Sequence, residues 1–136
     1  MAKVFTGKVI IPGDKIDEYF ALMKEAENRR APFKNQLKAL NEEFYESLLA
    51  KFSERTANKH SQIVGVFIDF ICGYTDAESI EEITRGMVNT SFKQWWKRKV
   101  WDSTPPEQLT VALKKFFLFL ANEKGIVNEK AMKGLL

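Results

Sequence analysis

At 136 residues, 45% hydrophobic and 12% aromatic, the chain carries enough apolar surface for one ordinary core, since domains of about 100–150 residues bury most of theirs. The formal net charge is +3, with 29% charged residues of mixed sign, which excludes a disordered polyelectrolyte and permits contact with a polyanion without demanding it. The single cysteine, Cys72, excludes an intramolecular disulfide, and no Cys/His cluster has zinc spacing.

The N-terminal "MAKVFTGKVIIPGD" has an apolar run too short for a signal peptide. Val9, Ile10 and Ile11 predict a short extended lead-in, stopped by Pro12-Gly13. Asp14 is the expected N-cap of a first helix with Ile16, Tyr19, Phe20 and Met23 on its apolar side. Pro32 fits the first turn of a second helix, whose stripe is Phe33, Leu37, Leu40, Phe44 and Leu48. A break near Arg30–Pro32 would fold the two into a helical hairpin.

Ser53 is the expected cap of the next helix. Ile63, Val64, Phe67, Ile68 and Ile71 keep helical spacing until Gly73. "YTDAESIEEIT" predicts a turn and a short helix, with Glu81 and Glu82 on its solvent side. Thr84 opens a helix carrying Val88, Phe92, Trp95 and Trp96 and closing on "KRK", whose cations suit a helix C-terminus. In "STPPEQLTVALKKFFLFLANEKG", Thr104 reads as N-cap, Pro105 as N1 and Glu107 as N3 of a capping box. Leu109, Leu113, Phe116, Phe117 and Leu120 form the stripe of that helix, and Gly125 its C′ residue with Ile126 folding back. Asn128 caps a last short helix with Ala131 and Met132.

The predicted fold is therefore all-α, a compact four-helix bundle over 51–136 preceded by a helical hairpin extension over 1–50. Residues 1–50 carry eight basic and eight acidic side chains, and residues 51–136 carry thirteen and ten. Any polyanion is thus expected on the second part.

No glycine-rich phosphate loop, GxSxG turn or HExxH pair occurs, and no nucleophile–base set can be assembled. The chain is expected not to be an enzyme by itself, and to need no metal or cofactor. His60 reads as a boundary residue able to touch a phosphate, because a general base needs an orienting partner. Cys72 reads as a small buried hydrophobe. Glu42, Glu43 and Glu46 read as a charged outer helix face.

Two constellations remain. Arg55 and Lys59 lie one turn apart at a helix start, with Asn58 and Gln62 nearby, a pattern that meets phosphates or simply solvates a helix end. "FKQWWKRKVW" interleaves aromatics with Lys93, Lys97, Arg98 and Lys99, as nucleic-acid surfaces do. At least one of Trp95 and Trp96 is nonetheless expected in the core.

"FSERTANKHSQIVGVFIDFI", "SIEEITRGMVNTSFKQWW" and "TPPEQLTVALKKFFLFLANEKGIVNE" follow one another in order. Together they resemble the N-terminal core-binding, SAM-like domain of tyrosine recombinases (phage integrases), over about residues 51–130. The resemblance implies a bundle lying on one side of duplex DNA, with its first and third helices facing the duplex. It makes Ser53, Thr56, Lys59 and His60 DNA-facing candidates, with Lys114 and Lys115 on the third helix. The family's active site needs two arginines, a lysine, histidines and a tyrosine nucleophile in a second domain. Here there is one histidine and no HxxR, and Glu129 follows Asn128 where the family often has proline.

The expectation is a soluble, cytoplasmic, non-catalytic DNA-binding domain of recombinase type, with no membrane partner. The alternative is a helical protein-interaction module that has lost DNA, docking a partner or a second copy through the 33–49 helix.

Overall fold

The computed structural model describes residues 12–100 and 102–135. The lead-in expected at Val9–Ile11 lies outside the described residues, as does Trp101. The fold is all-α. The described residues form helices α1 (Ile16–Leu49), α2 (Glu54–Tyr74), α3 (Arg85–Val88), α4 (Thr90–Lys99), α5 (Pro106–Glu123) and α6 (Glu129–Gly134), with 3-10 turns at Gly13–Lys15 and Ile80–Glu82. No β-strand occurs among them.

The predicted hairpin is one continuous helix. Pro32 lies inside α1, although an interior proline removes one backbone bond and costs about 3 kcal/mol. Tertiary anchors on both sides of Pro32 hold the helix together. Below it, Phe33, Leu37, Leu40, Phe44 and Leu48 are buried. Above it, the Arg30 guanidinium donates to the carbonyls of Thr75 (2.5 Å), Ile71 (2.9 Å) and Ala77. Asp14 is not a cap; it sits in the 3-10 turn, and α1 starts without a side-chain cap.

The same Arg30 contacts close α2. Its expected stop at Gly73 is passed by one residue, and Thr75 is the C-cap after Tyr74, its buried hydroxyl donating to the Ile71 carbonyl at 2.6 Å. Arg30 and Thr75 together satisfy carbonyls that a helix C-terminus leaves free. Between α1 and α2, Asn41 Nδ2 donates to the Ser61 carbonyl (3.0 Å) and the Ser61 hydroxyl to Asn41 Oδ1 (3.2 Å).

Two further boundaries differ from expectation. The helix predicted from Thr84 breaks at Asn89 (φ −122°, ψ −95°), separating α3 from α4. Asn89 Nδ2 donates instead to the Gly134 carbonyl at 3.1 Å. α5 starts at Pro106, not Pro105, because a residue before proline is driven out of the helical region; Pro105 sits at φ −63°, ψ 146°. Thr104 therefore caps nothing, and its N–H and hydroxyl both donate to Asp102 Oδ1 at 2.8 Å.

Other local signals hold. Thr84 Oγ1 accepts from the Met87 N–H. Gly125 takes φ +67°, and the Ile126 N–H returns to the Leu120 carbonyl at 2.9 Å. Asn128 caps α6 through the Ala131 N–H, and its buried amide also donates to the carbonyls of Ile80 (2.7 Å) and Ile83 (3.0 Å). Where α6 crosses α3, a Cβ on Gly134 would lie 2.6 Å from the Arg85 carbonyl; only glycine allows that approach.

One apolar cluster runs through all of this, from Phe33 to Leu135. Phe44 of α1 meets Phe116 and Phe119 of α5 at 5.3 and 5.7 Å between ring centroids. The core is thus continuous across residues 50 and 51, so α1 below Pro32 builds the same core as the helices after it. Cys72 is half-buried against that cluster, and burial pushes its thiol above the ordinary value.

Candidate nucleic-acid interface

The start of α2 is built by its cap. Ser53, extended at φ −63°, ψ 156°, accepts the Thr56 N–H at 3.2 Å, and its hydroxyl donates to Thr56 Oγ1 at 3.0 Å. These two candidates therefore hold the helix start that positions the others. From it Arg55 and Lys59 project into solvent, lining with Glu54, Asn58 and Gln62 a shallow open depression. Neither cation has a salt-bridge partner among the described residues.

His60, the next residue along, lies on the side of α2 near Lys115 of α5. Its ring meets the edge of Phe52 at 6.5 Å between centroids, and Lys115 Nζ stands 4.6 Å over the Phe52 ring, a cation–π contact. The His60 ring is half-buried, with Nδ1 enclosed and lacking a hydrogen-bond partner in the described structure. Burial, then the charges of Lys115 and Lys59, push the imidazole below its ordinary value. Loss of hydration and two like charges both disfavour the imidazolium. The tertiary fold thus brings Phe52, His60 and Lys115 together, with Lys59 acting on the same imidazole.

Asp102 is the acidic neighbour. The Thr104 hydroxyl and backbone N–H hold its carboxyl below the ordinary value, and Lys59 adds to that. Lys114, one step round α5 from Lys115, is exposed.

The α4 cations form a separate group. Phe92 packs on Phe67 and Phe70, and Trp95 on Phe70 and Tyr74, so α4 rides on the C-terminal half of α2. Lys97, Arg98 and Lys99 are exposed in its last turn and Lys93 is half-buried. Both tryptophans belong to the core, Trp95 at 7% and Trp96 at 6% exposure. Neither is a platform for base stacking; the apolar stripe of α4 takes them inward, and its polar face keeps the cations.

The apolar face considered for a partner also moves. The 33–49 stripe is buried in this chain's own core, whereas Ile16, Phe20, Leu22 and Met23, earlier on α1, remain exposed. Glu43 of the expected outer face pairs with Lys124 at 2.9 Å.

Among the described residues, no group of three His, Cys, Asp or Glu side chains is placed to hold a metal ion. No helix among them is long and apolar enough to cross a membrane. Compared with known proteins, the chain matches no family model, no curated protein and no solved structure.

Proposed function

We propose that this chain is a DNA-binding helical domain of the integrase or recombinase type, non-catalytic on its own, which holds duplex DNA mainly through phosphates. The observation that carries the reading is the pair of unpaired cations at the α2 start, Arg55 and Lys59, of which Lys59 acts with Lys115 of α5 on the same imidazole. Arg55 stands in the first turn of α2, whose free N–H groups add partial positive charge, and Lys59 follows one turn later. The surface is open and shallow rather than a closed pocket, which suits an extended phosphate backbone better than a small molecule. The order of the three segments that resemble a core-binding domain supports the same reading. The chemistry of strand exchange would then belong to a separate catalytic domain.

The test is fluorescence anisotropy with a mixed-sequence duplex at about 50 and about 200 mM salt. Affinity is expected to fall steeply with salt, and Arg55→Ala and Lys59→Ala each to lower the log–log salt slope by about one unit. Unchanged slopes in both variants would move the surface elsewhere; no binding at low salt would end the reading.

The second reading, a protein-interaction module, draws on the exposed Ile16, Phe20, Leu22 and Met23 of α1. It predicts a mass by light scattering that rises with protein concentration, and a fall to monomer in Phe20→Glu/Leu22→Glu.

A further inference from the structure

His60 is the chain's only histidine, and the fold sets it in an unusual position for an imidazole. The charged groups acting on it are Lys115 of α5 and Lys59 of its own helix. Phe52, from the turn between α1 and α2, covers one edge of the ring and also carries the Lys115 ammonium over its own face. No carboxylate is among the charges acting on the ring; Asp102 accepts both donors of Thr104, and Glu54 lines the depression with Arg55 and Lys59. Nδ1 is enclosed without a partner. Two ammonium charges and an enclosed, unpartnered Nδ1 therefore disfavour the imidazolium relative to a free histidine. A phosphate held by Lys59 and Lys115 reverses that balance, because an anion beside the ring favours its charged form.

We propose that His60 is a proton-linked phosphate contact, neutral in the free protein and protonated when a phosphate group is held at Lys59 and Lys115. The inference rests on the DNA reading above and adds to it a pH response. Proton uptake from solvent accompanies docking between the free and bound midpoints, so the affinity for a phosphate backbone rises as the pH falls. By linkage, the proton and the anion strengthen each other by the same factor.

With one histidine, the imidazole Cε1–H resonance reports this group without assignment ambiguity. A proton NMR titration of the full chain is run free and with a saturating mixed-sequence duplex, at fixed ionic strength. Free, the midpoint is expected below the ordinary 6.5; with duplex it is expected to move up by about one unit, which gives a several-fold gain in affinity between about pH 7.5 and about pH 5.5, with about tenfold as the limit reached well below the free midpoint. Anisotropy at those two pH values reads the gain directly, and His60→Gln is expected to abolish the ratio between them. A duplex that binds the wild type without moving the midpoint overturns the inference and leaves the DNA reading in place. A His60→Gln variant that keeps the wild-type ratio overturns it equally. No binding of duplex at either pH and low salt overturns the inference and the DNA reading together. Should His60→Gln not fold, the wild-type titration decides alone.

Discussion

Arg30 shows how much one side chain can organise. Its guanidinium meets three carbonyls near the end of α2, those of Ile71, Thr75 and Ala77, while its neighbour Arg29 pairs with Glu78 at 3.0 Å. Arg30→Ala leaves part-buried acceptors without donors and is expected to cost about 2–4 kcal/mol in urea unfolding. Arg30→Lys should restore little of it, because a single ammonium cannot reproduce the planar fork. Gly134→Ala is expected to cost about 1–3 kcal/mol, since its Cβ would meet the Arg85 carbonyl at 2.6 Å. His60 adds a pH term to stability. The folded state holds it below the ordinary 6.5, so on acidification the unfolded chain takes up the proton first. Its contribution is fully present above that ordinary value and declines as pH falls from there toward the folded midpoint. Urea midpoints at about pH 7.5 and about pH 5.5 should therefore drop more in wild type than in His60→Gln.

At the scale of elements, α1 combines two regimes in one helix. Residues 33–48 bury a full stripe, while Ile16, Phe20, Leu22 and Met23 stay exposed. A helical segment of about 14 residues without tertiary cover is marginal in water. Amide hydrogen exchange is accordingly expected to be faster by orders of magnitude over 16–29 than over 33–48. Pro32→Ala restores a backbone donor and should slow exchange near Asn28, raising stability by up to about 3 kcal/mol; an unchanged midpoint would show that the anchors already absorb the proline. Cap-level signals were legible in sequence where donor and acceptor are neighbours, as for Ser53, Thr84, Gly125 and Asn128. Thr104 failed because its reading ignored what Pro106 does to Pro105.

At the scale of the whole molecule, the candidate cations fall into two groups along α2. Lys93, Lys97, Arg98 and Lys99 belong to a helix packed on the other half of α2 from Arg55 and Lys59. Lys97→Ala and Arg98→Ala are expected to change the salt slope of DNA binding less than Arg55→Ala or Lys59→Ala, read on the same anisotropy titration. The sequence by itself determined the all-α class, the apolar stripes and the local caps, because a 3.6-residue period and a cap need only near neighbours. Tertiary structure alone decided the continuity of α1 through Pro32, the Arg30 clamp reaching across 41–47 positions, and the inward turn of both tryptophans. It also brought Phe52, His60 and Lys115 together. The physical reason is that these features depend on groups remote in the chain, whose approach follows from how the stripes pack and not from local spacing.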